Sequence, residues 1–242
     1  MNKHTNLLVV SAHAADFVWR CGGTIATYVN GGANVHLVVL SYGARGESGA
    51  LWKLEGQTEQ NVKQIRRGEI EGAAKHLGVT NLEIWDYQDY HMFIDNNRME
   101  RLVRKMREVK PQFIVTHPKN DVLNPDHNTV SQYVFEASVL ATSAGVRMEG
   151  LPHLRQPQIF GYEPHQTELS DYKHDMIIDI TDAYEQKKRA MECFEAQPHL
   201  IDYYKDRAKM RGNHARRISG NQTYKYAETF TRFYPYVGGE FV

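Results

Sequence analysis

The sequence predicts an α/β fold, a Rossmann-like three-layer arrangement with a mostly parallel sheet between helices, built as one domain over residues 1–242. Three observations carry this expectation. Apolar runs rich in valine, isoleucine and leucine recur along the chain, the pattern of strands covered on both faces. Stretches of helical periodicity separate them. The length is enough for one large core and requires no second domain.

The first strand is expected at 6–11 and the second at 35–41, with a helix between them closing at Gly31-Gly32, so the chain opens on a βαβ unit. Residues 58–77 place Val62, Ile65, Ile70, Ala73, Ala74 and Leu77 at helical spacing and stop at Gly78. A third strand follows at 82–85, then a helix at 99–109 ending before Pro111. The fourth strand, 113–116, leads through a polar loop containing Pro118 and Pro125 into a helix at 126–144. Beyond Gly150, two shorter strands are expected at 158–162 and 176–179, followed by a helix at 181–195 with Thr181 as its N-cap. Residues 200–242 are rich in tyrosine and arginine and weakly periodic, which predicts a peripheral helix and tail outside a core of about 1–197.

Composition narrows the function. Lys+Arg and Asp+Glu both number 29, so no bulk positive charge points to nucleic acid or an anionic membrane. Two cysteines, Cys21 and Cys193, make no disulfide framework, and Cys21 is expected in the core. The first apolar run is too short for a signal peptide, and no stretch approaches the roughly 20 apolar residues of a membrane span. A cytoplasmic protein with no membrane or nucleic-acid partner is expected; self-association is left open. The basic run Arg207-x-Lys209-x-Arg211 with Arg216-Arg217 reads first as a solvated helix face, with closure over an anionic substrate or contact with a neighbouring subunit as alternatives.

Parallel sheets place ligands at the carboxyl ends of their strands. His13 and Asp16 follow the first strand, Arg45 and Glu47 the second, Asp86 and Asp89 the third, and the segment from His117 to His127 the fourth. Imidazole and carboxylate together suit zinc with a position left open for water or substrate, and the set His13, Asp16 and His127 supplies them. Ferrous iron takes the same two-histidine, one-carboxylate set. The alternative for His13 and Asp16 is simple capping of a helix N-terminus, and for His127 a surface position.

The strings Ala12-His13-Ala14-Ala15-Asp16 with Gly22-Gly23-Thr24, the 43–48 loop, Arg66-Arg67-x-Glu69 before Leu77-Gly78, and Asn124-Pro125-Asp126-His127 resemble the LmbE/PIG-L superfamily of zinc-dependent de-N-acetylases over about the first 145 residues. The resemblance implies that His13, Asp16 and His127 hold one zinc ion. It also exposes two departures. The superfamily's general base aligns with Ala15, and the histidine that steadies its oxyanion aligns with Asn124. Loss of a positioned base typically costs about 10²–10⁴-fold in rate, so a different reaction is expected.

The run 11–20, the 45–48 loop followed by Leu51-Trp52, the string Tyr162-Glu163-Pro164-His165-Gln166 and Tyr226-Ala227-Glu228 resemble a hydratase branch of the superfamily. That branch adds water to a carbon-carbon double bond of an unsaturated oxo-tricarboxylate in bacterial breakdown of gallate-type aromatics. The resemblance implies Glu47 as base and His165 as acid, where the residues alone read as a solvated loop carboxylate and a backbone-bonded histidine. A small anionic carboxylate substrate calls for guanidinium partners, and Arg20 and Arg45 lie beside the motifs. Asn124 is the candidate donor to a substrate oxygen, with turn formation before Pro125 as its other role. A de-N-acetylase using Glu47 or Asp126 as base is the rival expectation, and a binding module with a vestigial site the third.

Overall fold

In β1 (Asn6–Ser11) every residue after the first is buried, and alternate side chains enter opposite cores. Leu7 and Val9 face one layer; Leu8 and Val10 face the other. A computed structural model describes residues 5–239. Its elements run α1 (Asp16–Asn30), β2 (Asn34–Val39), α2 (Gly49–Trp52), α3 (Glu59–His76), β3 (Asn81–Ile84), α4 (Asn96–Val109), β4 (Phe113–Thr116), α5 (Pro125–Thr142), β5 (Gln158–Tyr162), β6 (Met176–Asp179), α6 (Tyr184–Met191), α7 (Leu200–Ser219) and β7 (Ala227–Arg232).

The seven strands form one sheet in the order β3-β2-β1-β4-β5-β7-β6. The first five pair in parallel, and β7 runs antiparallel to both β5 and β6. The Leu7 side of the sheet shares its core with α1, α3 and α6, and the Leu8 side with α4 and α5, which gives the three layers. Local signals set the ends. Thr58 caps α3 through the Asn61 N–H, and Asp95 caps α4 through the Arg98 N–H.

Two expectations are corrected. Thr181 is not the cap of a long helix: it opens a single 3₁₀ turn, Thr181–Ala183, and its hydroxyl accepts from the Lys225 and Tyr226 N–H groups, so α6 begins only at Tyr184. The segment after residue 200 is not a peripheral tail. Its strand β7 sits inside the sheet with Ala227 and Phe230 buried, because β6 reaches β5 only through it. Weak helical periodicity there reflects an element change, from α7 to a strand.

Helix α1 is kinked at Cys21, whose φ of −143° breaks the helical hydrogen-bond ladder. The N–H groups of Gly23 and Thr24 instead reach the two carboxylate oxygens of Glu228 on β7, at 2.9 and 2.8 Å. Lys187 on α6 closes the gap, pairing with Glu228 at 2.6 Å and donating to the Trp19 carbonyl at 2.9 Å. Gly23 is required here, since a Cβ would lie 2.5 Å from Ile180. The first turns of α1, carrying Asp16, Trp19 and Arg20, are thereby set at their own angle.

Candidate metal centre

The turn from β1 into α1 is tied on three sides. The Ala12 N–H donates to His117 Nε2 at 3.0 Å, the Ser41 hydroxyl to the Ala12 carbonyl at 2.9 Å, and the Ser11 hydroxyl to the His13 carbonyl at 2.7 Å. Asp16 accepts the His13 N–H at 2.9 Å, which folds its carboxylate back toward the His13 ring. On the neighbouring strand's side, the Asn124 side chain caps α5 by accepting the Asp126 N–H, and Asp126 and His127 occupy the helix's first turn. Gly43, at φ +62°, allows the sharp loop that carries Glu47 inward.

These three loops bring four donors together: one ligand atom from each of His13, Asp16, Glu47 and His127, all within 4.8 Å of one another. His13 Nδ1 stands 3.1 Å from His127 Nε2 and 3.2 Å from Glu47 Oε1, and Asp16 lies 3.4 Å from each of these two ring nitrogens. The opposite ring nitrogens are both held by carboxylates. His13 Nε2 meets Asp126 at 3.2 Å, and His127 Nδ1 meets Asp121 at 2.9 Å. Asp126 is itself fixed by the N–H groups of Tyr90, His91 and Met92, in a loop where Tyr90 and His91 take positive φ. Orienting carboxylates behind imidazoles that converge on a point are what a divalent ion requires. The donor set fits one.

Burial opposes ionisation of Asp16, yet His127 beside it overrides burial and holds the carboxyl well below its usual range. Glu47 is half-buried, and although burial opposes its charge, His13 brings its pKa down. Asp121 falls to about 2, burial again being outweighed, here by His127 and Arg20. All are therefore charged at neutral pH. His117 stacks on His127 with centroids 4.0 Å apart, and burial together with that neighbour holds it neutral. Its Nδ1 has no partner among the described residues.

The donors open into a cleft of about 200 Å³ that is also lined by Trp19, Arg20, Tyr90, Asn124, His165 and Tyr204. Arg20 is buried, and its guanidinium donates to Asp121 at 3.0 Å and lies 3.5 Å from Asp16. It steadies the ligands as well as facing the cleft. Asn124 caps α5 and also lines the cleft. Arg45 is a correction. The Arg45 and Gly46 N–H groups both donate to Asp89 at 2.9 Å, and the clamp that turns Glu47 inward leaves the Arg45 side chain exposed and off the cleft.

The wall opposite the donors comes from α7 and the loop after β5. Arg211 grips Glu163 with two nitrogens, one at 2.9 Å, while Thr167 and Thr229 donate to the same carboxylate. Arg207 donates to the Pro164 and His165 carbonyls at 2.6 and 2.7 Å. The solvated helix face expected for this basic run is thus half wrong: Arg207 and Arg211 turn inward to hold the loop, and Lys209 and Arg217 face solvent. Asp121 and Tyr204 escape a reading by motif. Asp121 lies between the two strings that flank it, and Tyr204 is one of 14 tyrosines with no local mark.

The profile of the PIG-L family, described as GlcNAc-PI de-N-acetylase, matches residues 8–138, the segment holding all four donors. The chain belongs to this family. Within it, the chain is 39% identical to a 4-oxalmesaconate hydratase of Pseudomonas putida over 95% of its own length and 90% of that protein. The crystal structure of the 4-carboxy-2-hydroxymuconate hydratase of Pseudomonas putida superposes with a TM-score of 0.94 at 37% identity, covering 98% of this chain and all of the other. A deacetylase of Streptomyces scabiei acting on 1D-myo-inositol 2-acetamido-2-deoxy-alpha-D-glucopyranoside matches only 62% of the chain, at 31% identity, and 52% of that protein. The N,N'-diacetylchitobiose deacetylase of Pyrococcus horikoshii shares the fold, with a TM-score of 0.78 at 23% identity over 95% of this chain and 84% of that one. The chain is an enzyme of the hydratase type.

Proposed function

We propose that this enzyme adds water to the carbon-carbon double bond of 4-oxalomesaconate, giving 4-carboxy-4-hydroxy-2-oxoadipate in the breakdown of gallate-type aromatic acids, with zinc as its cofactor. The observation that carries this reading is the position of Glu47. Its carboxylate joins His13, Asp16 and His127 at the cleft, whereas Ala15 stands where the deacetylases keep their base. The near full-length likeness to two hydratases supports the same substrate class.

His13, Asp16 and His127 would hold the ion, and the Glu47 carboxylate lies beside them. A bound zinc ion supplies Lewis acidity, stabilising negative charge as it develops on a substrate oxygen. Glu47, ionised in the site, accepts the proton of the attacking water. His165 lines the same cleft; burial, Arg20 and Arg207 lower its pKa to about 4, so it meets substrate as a neutral ring. The substrate's carboxylates raise that value on binding and so let the ring serve as acid. Arg20 and Asn124 bind carboxylate or oxo groups, and Trp19 and Tyr204 close the wall against water. The free thiols Cys21 and Cys193 suit the reducing cytoplasm, and no helix among the described residues is long and apolar enough to cross a membrane.

The test is turnover of authentic 4-oxalomesaconate, followed by loss of the conjugated ultraviolet absorbance, before and after chelation and after zinc is restored. Chelator-sensitive loss that zinc restores is expected. Acetate release from an N-acetylated sugar with the alkene left untouched would instead make it a de-N-acetylase.

A further inference from the structure

The His165 ring packs beside Tyr203, with centroids 4.5 Å apart, and makes a hydrogen bond from one nitrogen only among the described residues. Tyr204, buried on α7, places its hydroxyl 3.4 Å from His165 Nδ1, while Nε2 has no protein partner among the described residues. Tyr204 cannot swing away, because its ring stacks on Trp19 with centroids 5.4 Å apart and planes 14° from parallel. The His165 backbone is fixed too, by the Tyr203 hydroxyl and by Arg207, whose guanidinium also lies over the Tyr203 and Tyr204 rings.

We infer that Tyr204 is a positioning residue that sets the tautomer of His165: its hydroxyl donates to Nδ1, so the ring proton resides on Nε2 and is offered to the bound substrate. A hydroxyl and a neutral imidazole can pair in either sense, and the surroundings choose. Burial pushes the Tyr204 phenol up to about 12, so it keeps its proton at neutral pH, and the nearby Arg20 and Arg207 guanidinium groups polarise that hydroxyl as a donor. The tautomer decides what His165 can do. With Nε2–H toward the cleft the neutral ring is a hydrogen-bond donor to a substrate oxyanion or carboxylate; with Nε2 bare the neutral ring offers only an acceptor there.

This inference rests on the hydratase reading, and its test separates the two. Ring nitrogen-15 spectra of the zinc-loaded enzyme at neutral pH, with His165 assigned by subtraction of a His165→Gln spectrum, report the tautomer without turnover. The Nε2–H form is expected in the wild type and a mixture of both forms in Tyr204→Phe, which retains the ring that stacks on Trp19. In the same variant kcat should fall about tenfold with KM within about twofold and zinc content unchanged, as for the loss of one hydrogen bond made to a reacting group. An Nδ1–H ring in the wild type overturns the inference even if the variant does not fold. So does a Tyr204→Phe enzyme whose tautomer and kcat match the wild type. Absence of hydratase turnover with the Nε2–H form intact sinks the hydratase reading alone and leaves the tautomer assignment standing.

Discussion

One wall of the cleft takes its donors from turns after β1, β2 and β4, all within the first 127 residues, whereas the other takes His165 from the loop after β5 and Tyr204 and Arg207 from α7. Each donor of the first wall is presented by a local turn, and contacts distant in sequence, Asp126 behind His13 and Asp89 under the Glu47 loop, then hold it in place. A strand ends, a helix begins, and the residue in the first turn faces the one just before it, as Asp16 faces His13. The opposite wall is built by pairings between residues about 40 to 50 apart, such as Glu163 with Arg211 and His165 with Tyr204. The family profile matches the segment that carries the first wall, whose donors fit an ion; the proposed reaction draws on both walls, Glu47 from the first and His165 from the second.

Glu47→Gln is the sharpest way to break this division, since Glu47 lies with the donors yet is assigned proton transfer. The amide fills the same space without accepting a proton, so kcat should drop by about 10²–10⁴-fold while His13, Asp16 and His127 retain zinc in an elemental analysis. Parallel loss of metal and rate would make Glu47 a ligand first.

Glu228→Ala strikes the second wall from a distance. It strands the Lys187 ammonium and the Gly23 and Thr24 N–H groups in the interior, so urea unfolding should show a loss of about 3–5 kcal/mol. Any folded fraction should show a raised KM, because Trp19 and Arg20 lose their anchor.

Acid should loosen the second wall through Glu163. Burial opposes its charge, but Arg211 and Arg207 prevail and lower its pKa to about 2, below the ordinary value of 4.5. A depressed carboxylate contributes stability above its unfolded value and loses it as pH falls from there through the folded value. The contribution is about 3 kcal/mol and should vanish between about pH 4.5 and 2. Glu163→Gln, measured by urea unfolding across that window, should flatten the slope.

Arg45→Ala should change least. With its side chain in solvent and its backbone held by Asp89, rate and stability are expected within about twofold of wild type. A large rise in KM would return Arg45 to the substrate.

The same contrast explains what could be read in advance. Strands such as β1 and β4 announce themselves because both faces are buried, and the His13 and His127 motifs because their geometry is local. Asp121 and Asp126 orient the two imidazoles, yet only their adjacency in space reveals it. Arg45 and Glu47 are two residues apart on one loop, and nothing in the chain's order says which turns inward; Asp89, more than 40 residues away, decides that. Strand β7 was hidden for a related reason: its apolar residues are few, and its place is dictated by the gap between β5 and β6 that it fills.

That gap has a consequence during synthesis. As the polypeptide emerges from the ribosome, β5 must wait with an unsatisfied edge, and β6 with no neighbour at all, until residues 227–232 arrive to bridge them. Glu228 travels on the same strand, so the bend in α1 acquires its acceptor only then. Until then the waiting edge is open to strands from other chains, which makes β7 a safeguard against misassembly as well as a part of the enzyme.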